Sequence, residues 1–187
     1  STQKWTLFPY TTLFRSYQID FERLVPAYLN ERPESAYEAG GHYQYVIIDA
    51  EDDPKVRIAD LNITEEVRSL NIRLKAMGEH VELDDPIGPN VYPLDLSFYN
   101  LDENPTVSSP YTSASLNVYY NGGEQFIVDY REDIARIINE NDLSFETGDD
   151  VRHVLYEYTP VVPLYSPEIT VNDENEPIFM TNRHKSD

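Results

Sequence analysis

Cysteine is absent from this chain. That excludes a disulfide framework, a thiolate nucleophile, zinc fingers and iron–sulfur ligation. Basic side chains are scarce: 14 Lys and Arg stand against 34 Asp and Glu, a formal charge of −20 over 187 residues. Phosphate backbones and anionic lipid surfaces call for a basic face, so direct binding to nucleic acid or to a membrane is not expected. No apolar run approaches the roughly 20 residues that span a bilayer, and no segment reads as a secretory signal with a charged start and an apolar centre. Glycine totals seven. No phosphate-cradling glycine loop, dinucleotide fingerprint, nucleophile elbow or H-E-x-x-H pair occurs.

The length suits one domain with appendages, able to bury roughly 70% of its unfolded surface without a metal or disulfide staple. Phe21, Leu24, Val25, Tyr28 and Leu29 recur at helical spacing, with Pro26 inside the run and Pro33 beyond it. Residues 42–50 are rich in β-branched and aromatic side chains, turn at Glu51-Asp52-Asp53-Pro54, and pair with 55–63 as a hairpin. Residues 64–77 carry two patterns. Val67, Leu70, Leu74 and Met77 fit a helix stopped by Gly78, while Leu70, Ile72, Leu74 and Ala76 alternate with Asn71, Arg73 and Lys75 as in a half-buried strand. The cleaner alternation favours the strand.

Leu94, Leu96 and Phe98 also alternate with polar neighbours. Residues 116–130, turning at Asn121-Gly122-Gly123, form the clearest hairpin. Ile134, Ile137 and Ile138 mark a short amphipathic helix over 133–141, and 151–158 reads as a strand. Pro160, Pro163, Pro167 and Pro177 make the tail an extended ribbon. The expected fold is therefore β-rich α+β. Its core is an antiparallel β-sandwich or partly open barrel, with one or two short helices and an extended C-terminal ribbon.

The residues give little chemistry. His42, His80, His153 and His184 are too far apart in sequence for a spaced metal pair, and His153 reads as a half-buried strand residue. Asp49, Glu51 and Asp53 resemble the start of a calcium loop, but its sixth position is Pro54 rather than Gly and its twelfth is Asp60 rather than Glu. Asp84-Asp85 and Asn172–Glu176 read as solvated turns. With 34 acids a carboxylate pair can always be found, so none is informative. No catalytic, cofactor-binding or metal-binding residue is assigned, and no cofactor or enzymatic activity is expected. The 15 tyrosines are the suggestive feature. Tyr43, Tyr45, Tyr119, Tyr120, Tyr130, Tyr156 and Tyr158 fall on expected strands, where they fill a core and its rim or meet a subunit or ligand.

Residues 6–16, Thr-Leu-Phe-Pro-Tyr-Thr-Thr-Leu-Phe-Arg-Ser, resemble the in-frame translation of a widely used short-read sequencing adapter. The resemblance implies a gene assembled from shotgun reads whose true 5′ end was overwritten, so residues 1–16 are set aside as foreign. The division is then 1–16, a β-rich domain over 17–159, and a Pro-rich arm over 160–187. Without residues 1–16 the chain loses Lys4, Arg15 and its one tryptophan, Trp5, and the charge becomes −22.

Ile19-Asp20-Phe21-x-x-Leu24-Val25, with the stretch from Phe126-Ile127-Val128 to Tyr158, resembles uncharacterised phage tail-region proteins of gut bacteria. This implies a structural or assembly protein of a phage particle, working through protein partners as a homo-oligomer or among assembly neighbours. Extended arms and Tyr-rich strands suit that role. Two other readings stand beside it: an acidic inhibitor that imitates nucleic acid, and a carbohydrate-binding β-sandwich exposing coplanar aromatics. The location is unknown, with the virion the one implied by the resemblance.

Overall fold

The computed structural model describes residues 15–25, 29–78, 80–123 and 125–180, and the backbone of Thr6 and Leu7. Four antiparallel strands form the first sheet, in chain order: β1 (Thr6–Leu7), β2 (Ser16–Gln18), β3 (Tyr43–Ile48) and β4 (Lys55–Asp60). The β3–β4 hairpin pairs Tyr43 with Asp60 through to Ile48 with Lys55. Its turn starts at Asp49, whose φ of 49° is one that Asp tolerates.

Alternation along β3 assigns its two faces. Val46 and Ile48 are buried in the main core. Tyr45 and Ile47 pack against a smaller cluster of Ile19, Phe21 and Ala36. Phe21 opens α1 (Phe21–Leu24), capped by Asp20, whose carboxylate accepts from the Glu22 amide at 3.0 Å. The rest of the expected 21–29 helix includes Pro26–Tyr28, which lie outside the described residues.

The chain then departs from the strand expected over 64–77. Residues Leu61–Met77 form a 17-residue helix, α2, which buries Ile63, Val67, Leu70 and Leu74. Asp60 caps it by accepting from the Asn62 amide at 3.0 Å. Helical spacing, a carboxylate cap and a run of good helix formers act together here and outweigh the local alternation. Ile72, which completed the apparent strand face, is left 59% exposed. The second strand of the hairpin accordingly ends at Asp60 rather than Ile63.

A three-stranded antiparallel sheet follows, β5 (Thr106–Ser108), β6 (Ser115–Tyr120) and β7 (Phe126–Val128), in that order. The 94–98 stretch is a turn and not a strand. The Asp95 carboxylate accepts from the Ser97 amide and hydroxyl and from the Phe98 amide, which bends the chain. Leu94 stays buried and bridges Leu83. The helix expected over 133–141 is α3 (Arg131–Glu140), burying Ile134, Ile137 and Ile138.

The strand expected over 151–158 is also a helix, α4 (His153–Tyr158). Val151, Val154 and Leu155 are buried together, at spacings of three and four, and α4 packs on α3. The Thr159 hydroxyl closes its end by donating to the Leu155 carbonyl.

The Pro-rich stretch from 160 to 180 runs as an extended ribbon across the domain. It buries Val162, Leu164 and Ile169 and ends in the antiparallel pair β8 (Ile169–Val171) and β9 (Pro177–Phe179). It joins both sheets: Val162 donates to the Ile58 carbonyl on β4, and Val128 on β7 donates to the Tyr165 carbonyl. The architecture is β-rich α+β, built from antiparallel sheets, and among the described residues no sheet closes into a barrel.

Candidate interaction surface

Asp133 is the one buried carboxylate among the described residues. It lies in the first turn of α3 and accepts from the Ser109 hydroxyl at 3.0 Å and the Thr112 hydroxyl at 3.4 Å. The Ser109 oxygen also accepts the amides of Tyr111 and Thr112, closing the 109–112 loop. Burial pushes the Asp133 carboxyl above the usual carboxylate range, opposed by the Ser109 bond, the Arg136 charge and the Thr112 bond. Among the described residues neither group bonds to a histidine or lysine. The pair therefore fastens a loop to a helix and lacks the base that activates a serine nucleophile. Tyr111 and Tyr130 stack edge to face beside it and donate to the Val161 and Leu164 carbonyls. Burial holds both phenols well above their ordinary range.

His153, Arg152 and Arg131 are likewise used internally. His153 stands at the start of α4 and not in a strand. Its Nδ1 is 2.7 Å from the Asp150 carbonyl, and its ring meets Phe145 edge to face. Arg152, buried, forks onto Asp150 through Nε at 2.9 Å and Nη2 at 2.6 Å. Arg131 forks onto Asp129 and lies 4.0 Å above the Phe179 ring.

His42 and His80 are exposed, and His184 lies outside the described residues. The Asn172–Glu176 turn uses its own oxygens: Asn172 Oδ1 accepts the amides of Glu174 and Glu176. Asp84, Asp85, Asp49, Glu51 and Asp53 are exposed. Among the described residues no three His, Asp or Glu side chains gather as metal ligands.

Of the seven tyrosines named from sequence, three are core residues. Tyr119, Tyr120 and Tyr130 are buried, and Tyr120 packs edge to face on Phe126. Tyr43 and Tyr45 are half-buried, as is Tyr156, whose phenol burial pushes up to about 12 with the charges of Glu157, Asp150 and Asp49 adding to the shift. Tyr158 stands out at 48% exposure.

The large apolar side chains left exposed among the described residues are scattered: Val56 on β4 at 54%, Ile72 and Met77 on α2 at 59% and 51%, Tyr158 on α4, and Leu29, Tyr37, Ile87 and Phe98 outside these elements. Beside α2 a cleft of about 540 Å³ is floored by Leu70, Leu74 and Leu101 and rimmed by Glu65, Arg73 and Glu103. A second cleft of about 590 Å³ lies between α3 and the β8–β9 turn, lined by Asp129, Glu132, Glu174 and Glu176 with Arg131. Sequence reading as a strand hid the α2 surface. The signal for it was the charge of residues 68–77: Arg68, Arg73 and Lys75 with no acid among them.

Residues 8–60 match the family model of the YphF family N-terminal domain. That range holds β2, α1, β3 and β4, under a third of the chain, and begins within the segment read as foreign. No curated protein and no solved structure matches the chain.

Proposed function

We propose that the chain is a non-enzymatic structural or assembly protein that acts through protein–protein contacts, as a component of the tail or neck region of a phage particle. The observation that carries this reading is the cleft of about 540 Å³ beside α2, floored by Leu70, Leu74 and Leu101, with Met77, 51% exposed, on its lining. A lone exposed apolar side chain is ordinary, but apolar surface gathered in a groove rimmed by charge marks a contact site. The internal use of Asp133, Ser109, Arg152 and His153 supports it, since these groups hold loops and helix ends. The acidic surface suits solubility and contact with basic neighbours.

Particles purified from the source sample test the virion role by peptide mass spectrometry. The tryptic peptide Ile137–Arg152 is long and distinctive. Its enrichment with the particle fraction is the expected result. Its recovery in the soluble host fraction alone would contradict the role.

A further inference from the structure

Strand β5 stands at the edge of its sheet, paired with β6 on one side. Val118 donates to the Pro105 carbonyl and Ser109 to the Ala114 carbonyl. Asn117, the partner of Thr106 in register, turns its own carbonyl the other way, to the Asp129 amide just past β7. Main-chain groups alternate sides along a strand, so the amide and carbonyl of Thr106 and of Ser108 point away from β6. The Ser108 amide is taken by the Glu66 carboxylate at 3.0 Å. Among the described residues nothing pairs with the amide or carbonyl of Thr106, which is exposed.

Thr106 lines the cleft beside α2, so this free edge runs along the floor of Leu70, Leu74 and Leu101. A bare strand edge beside an apolar groove is the arrangement that receives an extended peptide: main-chain bonds hold it, and alternate side chains fill the groove. One residue of an antiparallel strand can exchange both bonds with Thr106. Its two neighbours then face the same side as Val107, which is buried, and so meet the leucine floor. Charge chooses among such peptides. Glu65, Glu66 and Glu103 line the cleft against one cation, Arg73, while Arg68 and Lys75 on α2 do not line it. The lining repels an acidic segment and attracts a basic one.

Resting on the assembly reading and naming the partner for its cleft, we propose that the Thr106 edge and the α2 cleft bind an extended segment of a partner protein. The segment carries apolar side chains at two alternate positions and Lys or Arg beside them. Glu66 closes the edge at Ser108, so the strand that is added is short.

A display library of random short peptides, panned on the full chain, tests it. The expected selection has apolar residues at i and i+2 with Lys or Arg beside them. Thr106→Pro removes the free amide at an edge position, where proline is tolerated, and is expected to weaken binding about tenfold or more. N-methylation of the peptide residue between the two apolar ones is expected to do the same on the unaltered protein, a readout that needs no folded variant. Glu65→Lys with Glu103→Lys, both exposed, is expected to select acidic peptides in place of basic ones. Recovery of no peptide, or of peptides indifferent to all three changes, overturns the inference. The particle fractionation is independent of this result. Enrichment with particles and no peptide selected overturns this contact alone; peptides held at Thr106 and no enrichment with particles overturn the virion role alone.

Discussion

Arg57 on β4 donates through Nε to the carbonyl of Tyr156, 99 residues away on α4, at 2.5 Å. Its Nη1 turns back to the Val56 carbonyl at 2.8 Å. One guanidinium therefore covers a strand edge and a helix end. A bare edge invites unwanted pairing, and a charged side chain laid along it is a recurrent defence. The favoured ligand at a helix C-terminus is also a cation. Glu66 does the same for β5 with opposite charge, accepting the Ser108 amide at 3.0 Å and its hydroxyl at 3.2 Å.

Arg57→Ala is expected to destabilise the fold by about 1–3 kcal/mol, since it strips two carbonyls of a charged donor. Arg57→Lys is expected to recover only part of this, because a single ammonium cannot span both acceptors as the fork does. Urea unfolding of the three proteins checks the order.

Asp133 makes stability depend on pH in a defined direction. Its folded carboxyl is raised above the ordinary 3.8 by burial. The folded state thus binds the proton more tightly than the unfolded chain. The resulting stabilisation is full below the unfolded value and is lost as pH rises through the folded one. Asp133→Asn removes the titration and should gain on wild type as pH rises from about 3 to 7. Asp133→Ala leaves the Ser109 and Thr112 hydroxyls without their acceptor and is expected to cost about 1–3 kcal/mol at neutral pH. Denaturation at a series of pH values separates the two.

Gly41 has no room for a side chain. A Cβ placed there would sit 2.2 Å from the backbone carbon and oxygen of Ser35. Both atoms are backbone, and Tyr43 donates to that same Ser35 carbonyl. Gly41→Ala is therefore expected to shift the 35–43 loop off the Ile19–Phe21–Ala36 cluster and to destabilise by roughly 1–3 kcal/mol. Thermal melts report the loss.

Substitutions along α2 distinguish a helix from the strand that alternation suggested. Asp60→Ala removes the cap from the Asn62 amide and should cost about 1 kcal/mol. Leu70→Ala and Leu74→Ala, both buried, should cost about 2–5 kcal/mol. Ile72→Gln, between them in sequence, should stay within about 0.5 kcal/mol because it faces water. A half-buried strand would penalise all three apolar changes alike.

These residues also show how far the sequence could be read. The two hairpins, at 43–60 and 115–128, were legible because β-branched runs flank strong turn residues. The helix at 131–140 was legible from three isoleucines on one face. The helices over 61–77 and 153–158 were not, for one reason. In each, short alternation or aromatic content imitates a strand, and only burial at spacings of three and four, set by tertiary packing, decides the matter. Leu94–Phe98 failed differently: the side-chain oxygen of Asp95 outbid strand pairing by bonding three local donors. The surface on α2 followed the helix. Along a strand Arg68 and Ile72 would share one face and Lys75 the other; only the helix gathers all three on one stripe.

The proposed role is contact with other protein chains, copies of this one included. Native mass spectrometry of the full chain tests that most directly. The expected result is a series of multiples of 21.7 kDa that dissociates as ionic strength rises. A single 21.7 kDa species at every concentration and salt would contradict self-assembly.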